Sequence, residues 1–392
     1  MYKLYSIIIY ISIFLISLFF VQRSENALNN KQKRAFIVYA AIAIICPCLL
    51  SGIRGINVGT DSIRYYEMYE IAENYNNLTT YILRMSQRDV EVGYSVFLFV
   101  LSRLHISREV LFFLFTFLTI APIYYVVTKH KEEYPMWTGI AVFFAFYYNL
   151  SFNATRQCIA VSFVLLVYQM VIEKKYKQMV FFSFIALSFH SSAYIGFVFI
   201  CAGIVFKNLK VSVIRQAIVI VLFLVIAAAP LYLDQMFDIL GGIGLVSDRQ
   251  SFYQDLFAGQ RQIEGSVGLE GGGYAAIILR ILLLIIPGID LFISGEIKDS
   301  EKKSIAIIVF MGTVFYVFTS IMFNTIHVYR ITMYPEIFYV LYLPYLYRPV
   351  HSKQRGITVS LKTIIFVMLI FMYWLLIFIK FGFHQTSNFL MI

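Results

Sequence analysis

The residues best equipped for chemistry in this chain are arginines, histidines and acids placed where apolar runs end. Ser51-Gly-Ile-Arg54-Gly-Ile-Asn57-Val-Gly59-Thr60-Asp61 sets an arginine between two glycines and closes on a carboxylate. Glycines leave backbone amides open beside the guanidinium, a combination suited to an anion. In Asn153-Ala-Thr-Arg156-Gln157 the arginine falls in the first turn of the next helix. A cation there opposes the helix dipole by ~0.3–1 kcal/mol at exposed sites. An anion held between Arg156 and the helix amides removes that conflict. His190-Ser191-Ser192 interrupts an otherwise apolar stretch, and Asn324-Thr-Ile-His327-Val-Tyr-Arg330 puts a histidine and an arginine on one face if helical. Arg280 sits about one and a half turns into a span that begins near Tyr274, where an ionisable group is a functional candidate by default. Each has a plainer reading as well: a snorkelling arginine, a capped interfacial helix, a histidine satisfied in the core.

The elements that must position these groups are membrane spans. Of 392 residues, 60% are hydrophobic and only 14% charged, against ~25% charged in ordinary soluble domains. That balance excludes a cytosolic enzyme, a disordered chain and a disulfide-stapled module. The net charge of +10 then marks loops and headgroups, not nucleic acid. Cys46, Cys48, Cys158 and Cys201 all lie in or beside apolar runs and carry no metal-ligand spacing. The expectation is an all-α, polytopic, single transmembrane domain over residues 1–392 with about 12 crossings. Leu4 to Val21 reads as a retained first span. Met179–Phe206 reads as two short helices broken at His190, because one straight span would leave three polar groups in hydrocarbon.

Val92 to Leu104 decides the topology. Thirteen residues of a mainly apolar segment reach ~20 Å, short of a ~30 Å core, so the segment is interfacial or re-entrant. With it excluded, the lysine clusters around Lys31, Lys129, Lys174, Lys207, Lys302 and Lys353 share one side. The scattered arginines take the other. The lysine side is cytoplasmic by the positive-inside rule, which sends both termini outward. Two long outer loops follow, about 52–107 and 234–273, the second ending in a glycine run. Neither a P-loop nor a dinucleotide fingerprint is present. Several arginines and two histidines thus share the outer face, an arrangement that fits a multi-anionic ligand such as a lipid pyrophosphate.

Four stretches, in order, carry a family resemblance: Ser51 to Asp61, Glu91-Val-Gly93-Tyr, Asn153-Ala-Thr-Arg156-Gln157-Cys-Ile-Ala160, and Ser188-Phe-His190-Ser-Ser-Ala193. On these the chain resembles the EpsG-like and Wzy-type polysaccharide polymerases of bacterial membranes, well over residues 35 to 205 and only in span pattern beyond. Val92 stands where the family usually has proline. The resemblance implies a metal-independent glycosyltransferase without cofactor in the bacterial cytoplasmic membrane, active on its outer, periplasmic face. Its substrate would be an undecaprenyl-pyrophosphate-linked oligosaccharide, and its partners membrane lipids, a flippase and a chain-length regulator. Growing glycan would pass to the non-reducing end of an incoming unit. Asp61, His190 and Arg156 are then the expected catalytic residues, with Asp61 or His190 as base. Arg54, Arg156, Arg280, His327 and Arg330 would hold pyrophosphate, whose charge arginines can counter electrostatically. Tyr65, Tyr66, Tyr69 and Glu91 would meet the sugars. A lipid-linked-oligosaccharide flippase, an O-antigen ligase and a non-enzymatic scaffold are the competing classes.

Overall fold

The computed structural model describes residues 2–207, 278–279, 282, 300–322, 326–347, 361–382, 385–387 and 389. Arg280 and the expected loop 234–273 lie outside the described residues, as does the side chain of His327. Among the described residues there are helices and no strands. In chain order they are α1 (Tyr2–Asn29), α2 (Lys33–Gly52), α3 (Ser62–Glu73), α4 (Leu78–Ser86), α5 (Val92–Arg103), α6 (Arg108–Lys129) and α7 (Met136–Phe143). α7 runs on through a π-helical turn (Phe144–Tyr148) and a short 3-10 turn (Leu150–Phe152). Then come α8 (Thr155–Ile172), α9 (Tyr176–Phe189), α10 (Ala193–Lys207), α11 (Ser300–Met322), α12 (Ile326–Glu336), α13 (Tyr339–Leu346) and α14 (Leu361–Trp374), the last continuing as a π-helix to Lys380.

Five of the described helices are long and apolar enough to cross a bilayer, and four shorter apolar helices accompany them. The chain is an all-α, multi-pass membrane protein. Its centre is α8: 83% of that span is buried, against 22% of α1. An α-helix apolar on every side belongs inside a bundle. By contrast α1 and α9 leave Leu15, Phe19, Phe181 and Phe184 exposed, the expected surface toward lipid.

Among the described residues, two of the long spans contain proline, and the bundle answers each in the same way. Pro47 in α2 has no N–H to give the carbonyl of Ala43, one turn back. The Ser17 hydroxyl of α1 donates to that carbonyl at 2.6 Å. Pro122 in α6 frees the carbonyl of Leu118, which the Ser162 hydroxyl of α8 meets at 3.3 Å. In a lipid environment a freed backbone group must be satisfied by a neighbouring helix.

Interhelical contacts sort the loops into two ends. At one, Lys131 Nζ donates to Asn29 Oδ1 at 2.9 Å, Lys129 lies 3.5 Å from Glu173, and Lys302 lies 3.6 Å from Glu133. This is the lysine end. At the other, Tyr10 donates to the carbonyl of Thr386 at 3.0 Å, and the arginine and histidine candidates meet one another as described below. α5 has both of its ends at the second, arginine-bearing end. Glu91 at its start pairs with Arg156 of α8, while Arg103 at its close donates to the carbonyl of Ala72 at 2.6 Å. α6 then begins beside Gly52, with Ser107 capping Val110 N–H. Twelve residues of helix at ~1.5 Å each could not span a ~30 Å core in any case.

Candidate functional site

The arginine end is organised around Glu91, the residue just before α5. One carboxylate oxygen pairs with Arg156 of α8. The other accepts from the Ser191 amide at 3.0 Å and its hydroxyl at 3.3 Å. His190 Nδ1 stands 4.0 Å from that same oxygen. The Arg156 and Glu91 side chains are 18% and 10% exposed. Burial alone would raise the Glu91 pKa, but Arg156, His190 and the Ser191 amide outweigh it and hold the carboxyl below its ordinary value. Sequence reasoning placed Glu91 against sugar and gave Arg156 an anion from outside. The structure supplies that anion from the chain itself, 65 positions away. The dipole conflict at the start of α8 was the sequence signal for an anion beside Arg156.

Close approach makes this junction possible. A Cβ at Gly93 would overlap the Ser188 side chain, so only glycine lets α5 lie against α9 and deliver Glu91 to the His190 break. The break itself is wired onward. Ser192 Oγ lies 2.7 Å from His190 Nδ1 and 2.8 Å from the Tyr334 hydroxyl of α12. The polar interruption read from His190-Ser191-Ser192 is therefore the turn between α9 and α10, facing α5, α8 and α12.

Asp61, at the N-cap of α3, joins the same end. Its backbone N–H donates to Asn153 Oδ1 at 3.1 Å, and Thr60 Oγ1 reaches the same oxygen at 3.1 Å. Gly59 needs its positive φ of 99°, and a Cβ there would sit 3.0 Å from that amide oxygen. Arg330 of α12 stands 3.8 Å from the Asp61 carboxylate, the two side chains 39% and 33% exposed. The Gln157 amide donates to the Arg330 backbone carbonyl at 2.6 Å, tying α12 to α8. Asp61, Glu91, Arg156, His190 and Arg330, from five separate parts of the chain, thus form one polar surface. Beside it opens a cleft of about 760 Å³ lined by Thr60, Ile63, Arg64, Glu67, Arg88 and Asp89.

Three expectations are corrected. Arg54 is not an open anion cradle: it is 1% exposed, with its guanidinium between the Phe112 and Phe152 rings at 4.0 and 4.2 Å. It donates to the Ser51 carbonyl at 3.0 Å and to Ser62 Oγ at 3.5 Å. Burial pushes its pKa down, to about 9, which leaves it cationic at neutral pH. Desolvated cation–π contacts are worth ~2 kcal/mol, so Arg54 staples the α2 exit to α3, α6 and the turn before α8. Tyr65 and Tyr69 are not sugar platforms either. Both are buried, with hydroxyls donated to the carbonyls of Asn153 at 2.6 Å and Ile106 at 2.9 Å. Tyr66, partly exposed, stacks on Tyr69.

Among the described residues no group of three or more histidines, cysteines or acids is arranged to hold a metal ion. No curated protein and no solved structure matches the chain. The sequence profile of the EpsG family, however, matches residues 37–390, nearly the whole chain and all of the surface just described. The chain belongs to the EpsG family.

Proposed function

We propose that this protein polymerises lipid-pyrophosphate-linked oligosaccharide units at the outer face of the bacterial cytoplasmic membrane. Membership in the EpsG family supports a role in polysaccharide synthesis. The observation that carries the finer reading is the juxtaposition of a partly exposed Asp61–Arg330 pair with an open cleft. In the reaction, the bond from the sugar anomeric carbon to the pyrophosphate oxygen breaks. A new bond forms from that carbon to a hydroxyl of the incoming unit. The hydroxyl proton passes to a carboxylate, and the lipid pyrophosphate departs with the electron pair. In this reading Arg330 stabilises the leaving group and Asp61 is the base that accepts the proton. Arg156 and Glu91 act one step back, fixing His190 and the α9–α10 turn. Undecaprenyl pyrophosphate is the expected carrier.

The test is extension of purified lipid-linked units by the full chain in vitro, together with gel analysis of surface glycan from a deletion strain. A ladder that collapses to single units, and extension by wild type but not by Arg330→Ala, is the expected result. Relocation of the lipid-linked unit across vesicles without any lengthening would overturn it in favour of a transporter.

A further inference from the structure

The cleft itself has no assigned occupant. Its wall is built from one face of α3, Ile63, Arg64 and Glu67, with Thr60 just before the helix. The facing wall is Arg88 and Asp89, in the turn between α4 and α5. Asp89 holds a left-handed backbone, φ 56°, and its carbonyl receives an N–H from Arg156 at 3.4 Å. At the other margin Thr60 is bonded to Asn153, and Asp61 follows. The cleft is therefore attached at both margins to the groups that surround the proposed reaction, and its far side opens to solvent.

From the chemistry of this wall we infer that the cleft binds the carbohydrate of the incoming acceptor unit. The inference rests on the polymerase reading above. Each wall carries one arginine and one acid, so the lining is neutral overall, and a neutral wall does not concentrate a pyrophosphate. It does offer guanidinium donors alternating with carboxylate acceptors. A sugar hydroxyl both donates and accepts, and this is the surface that satisfies it in either sense. The side chains of Arg64, Glu67 and Arg88 make no hydrogen bond or ion pair among the described residues, so their capacity is available to a ligand. Ile63, 41% exposed, gives the C–H face of a ring one apolar contact. The volume falls in the ~300–1,000 Å³ range of small-molecule sites, room for the end of a glycan and much more than one ion needs. A glycan lying here would bring its terminal hydroxyl toward Asp61.

The experiment uses the full chain in detergent. The probe is the repeat-unit oligosaccharide released by mild acid from the lipid carrier of a deletion strain. Wild type should bind it. Arg64→Ala and Arg88→Ala should each weaken binding about tenfold, and raise the KM for the lipid-linked acceptor by the same factor. Arg84→Ala, which removes a nearby exposed arginine outside the cleft, should match wild type. Probe binding that is absent in wild type, or equal in wild type and both cleft variants, overturns the assignment. The two readings fail separately. Normal extension with unchanged acceptor KM in both variants defeats the cleft and leaves the polymerase. Probe binding lost in the variants, without any extension by wild type, keeps the glycan site and defeats the polymerase.

Discussion

The two ends of the bundle each hold a largely buried histidine among carboxylates, yet only one has the makings of a site. At the lysine end His130 is 3% exposed and lies 3.5 Å from Glu133, 3.1 Å from Gln169 and 3.8 Å from Glu301. Those groups come from the α6–α7 turn, α8 and α11, and they close over the ring. Lys302 on Glu133 and Lys129 on Glu173 finish the knot. At the arginine end the Glu91–Arg156–His190 junction is similarly wired. There, however, a half-exposed ion pair and an open cleft adjoin it. A buried ion cluster alone is therefore weak evidence of function. What separates the ends is chemistry left accessible beside the knot.

The sharpest way to break that comparison is to break the knot at the arginine end. Glu91→Ala leaves Arg156 desolvated with no carboxylate, a change worth about 3–5 kcal/mol when a buried pair loses one member. Extension should fall to background and the unfolding midpoint should drop together. Arg156→Lys keeps the charge without the planar fork and should remain strongly impaired. Unaltered extension by correctly folded Glu91→Ala would show that the arginine-end knot is as inert as the lysine-end one.

Next in size are variants that separate activity from stability. Asp61 and Arg330 are exposed enough that their ion pair should contribute only ~0–1 kcal/mol to folding. Asp61→Asn and Arg330→Ala should therefore melt near wild type, while extension falls ~30-fold or more, the scale of a lost charge-assisted contact to substrate. Lys174→Ala, at the lysine end, should leave turnover per folded molecule unchanged. His130→Asn should do the reverse of Arg330→Ala, lowering the midpoint and sparing turnover. If both ends gave the same profile, accessibility would lose its standing as the discriminator.

What could be read from the sequence divides along the same line. The all-α membrane class followed from run length and composition, and Lys129, Lys131 and Lys302 do share one end. The return of α5 to its own side followed as well, because twelve residues of helix cannot cross. Particular side-chain fates did not follow. Arg54 looked open because its neighbours in sequence are glycines. Its ring partners, Phe112 and Phe152, are supplied by α6 and by the turn before α8, and no local pattern announces them. Tyr65, Tyr66 and Tyr69 are closely spaced candidates on a short helix with polar and aromatic residues on every side. Tertiary packing decides that Tyr65 and Tyr69 turn inward, against Tyr94 of α5, Phe115 of α6 and the carbonyls of Asn153 and Ile106. Glu91 and Arg156 each stood out alone. Their pairing is a tertiary fact, although the cation in the first turn of α8 did point to an anion beside it.

The smallest expected effect is also the most direct opposition between the ends, because their titrations run in opposite senses. Burial disfavours the charged form of Glu91, but Arg156, His190 and the Ser191 amide hold its pKa below the ordinary value of ~4.3. Its stabilisation is therefore present above that value and is lost as the pH falls through the lower, folded pKa. Burial likewise disfavours protonated His130, but Glu133, Glu301 and Gln169 raise its pKa above ~6.5. Its stabilisation is complete below that value and is lost as the pH rises through the higher, folded pKa. A tenfold change in proton affinity on folding corresponds to ~1.4 kcal/mol, which makes the difference between variants more informative than any absolute midpoint. Unfolding of the detergent-solubilised protein, followed from about pH 3 to about pH 9, should show wild type losing its advantage over Glu91→Gln only at the acid end. Its advantage over His130→Asn should vanish only at the alkaline end. Parallel curves for the two variants would mean that the knots are not the independent, oppositely charged clasps their geometry describes.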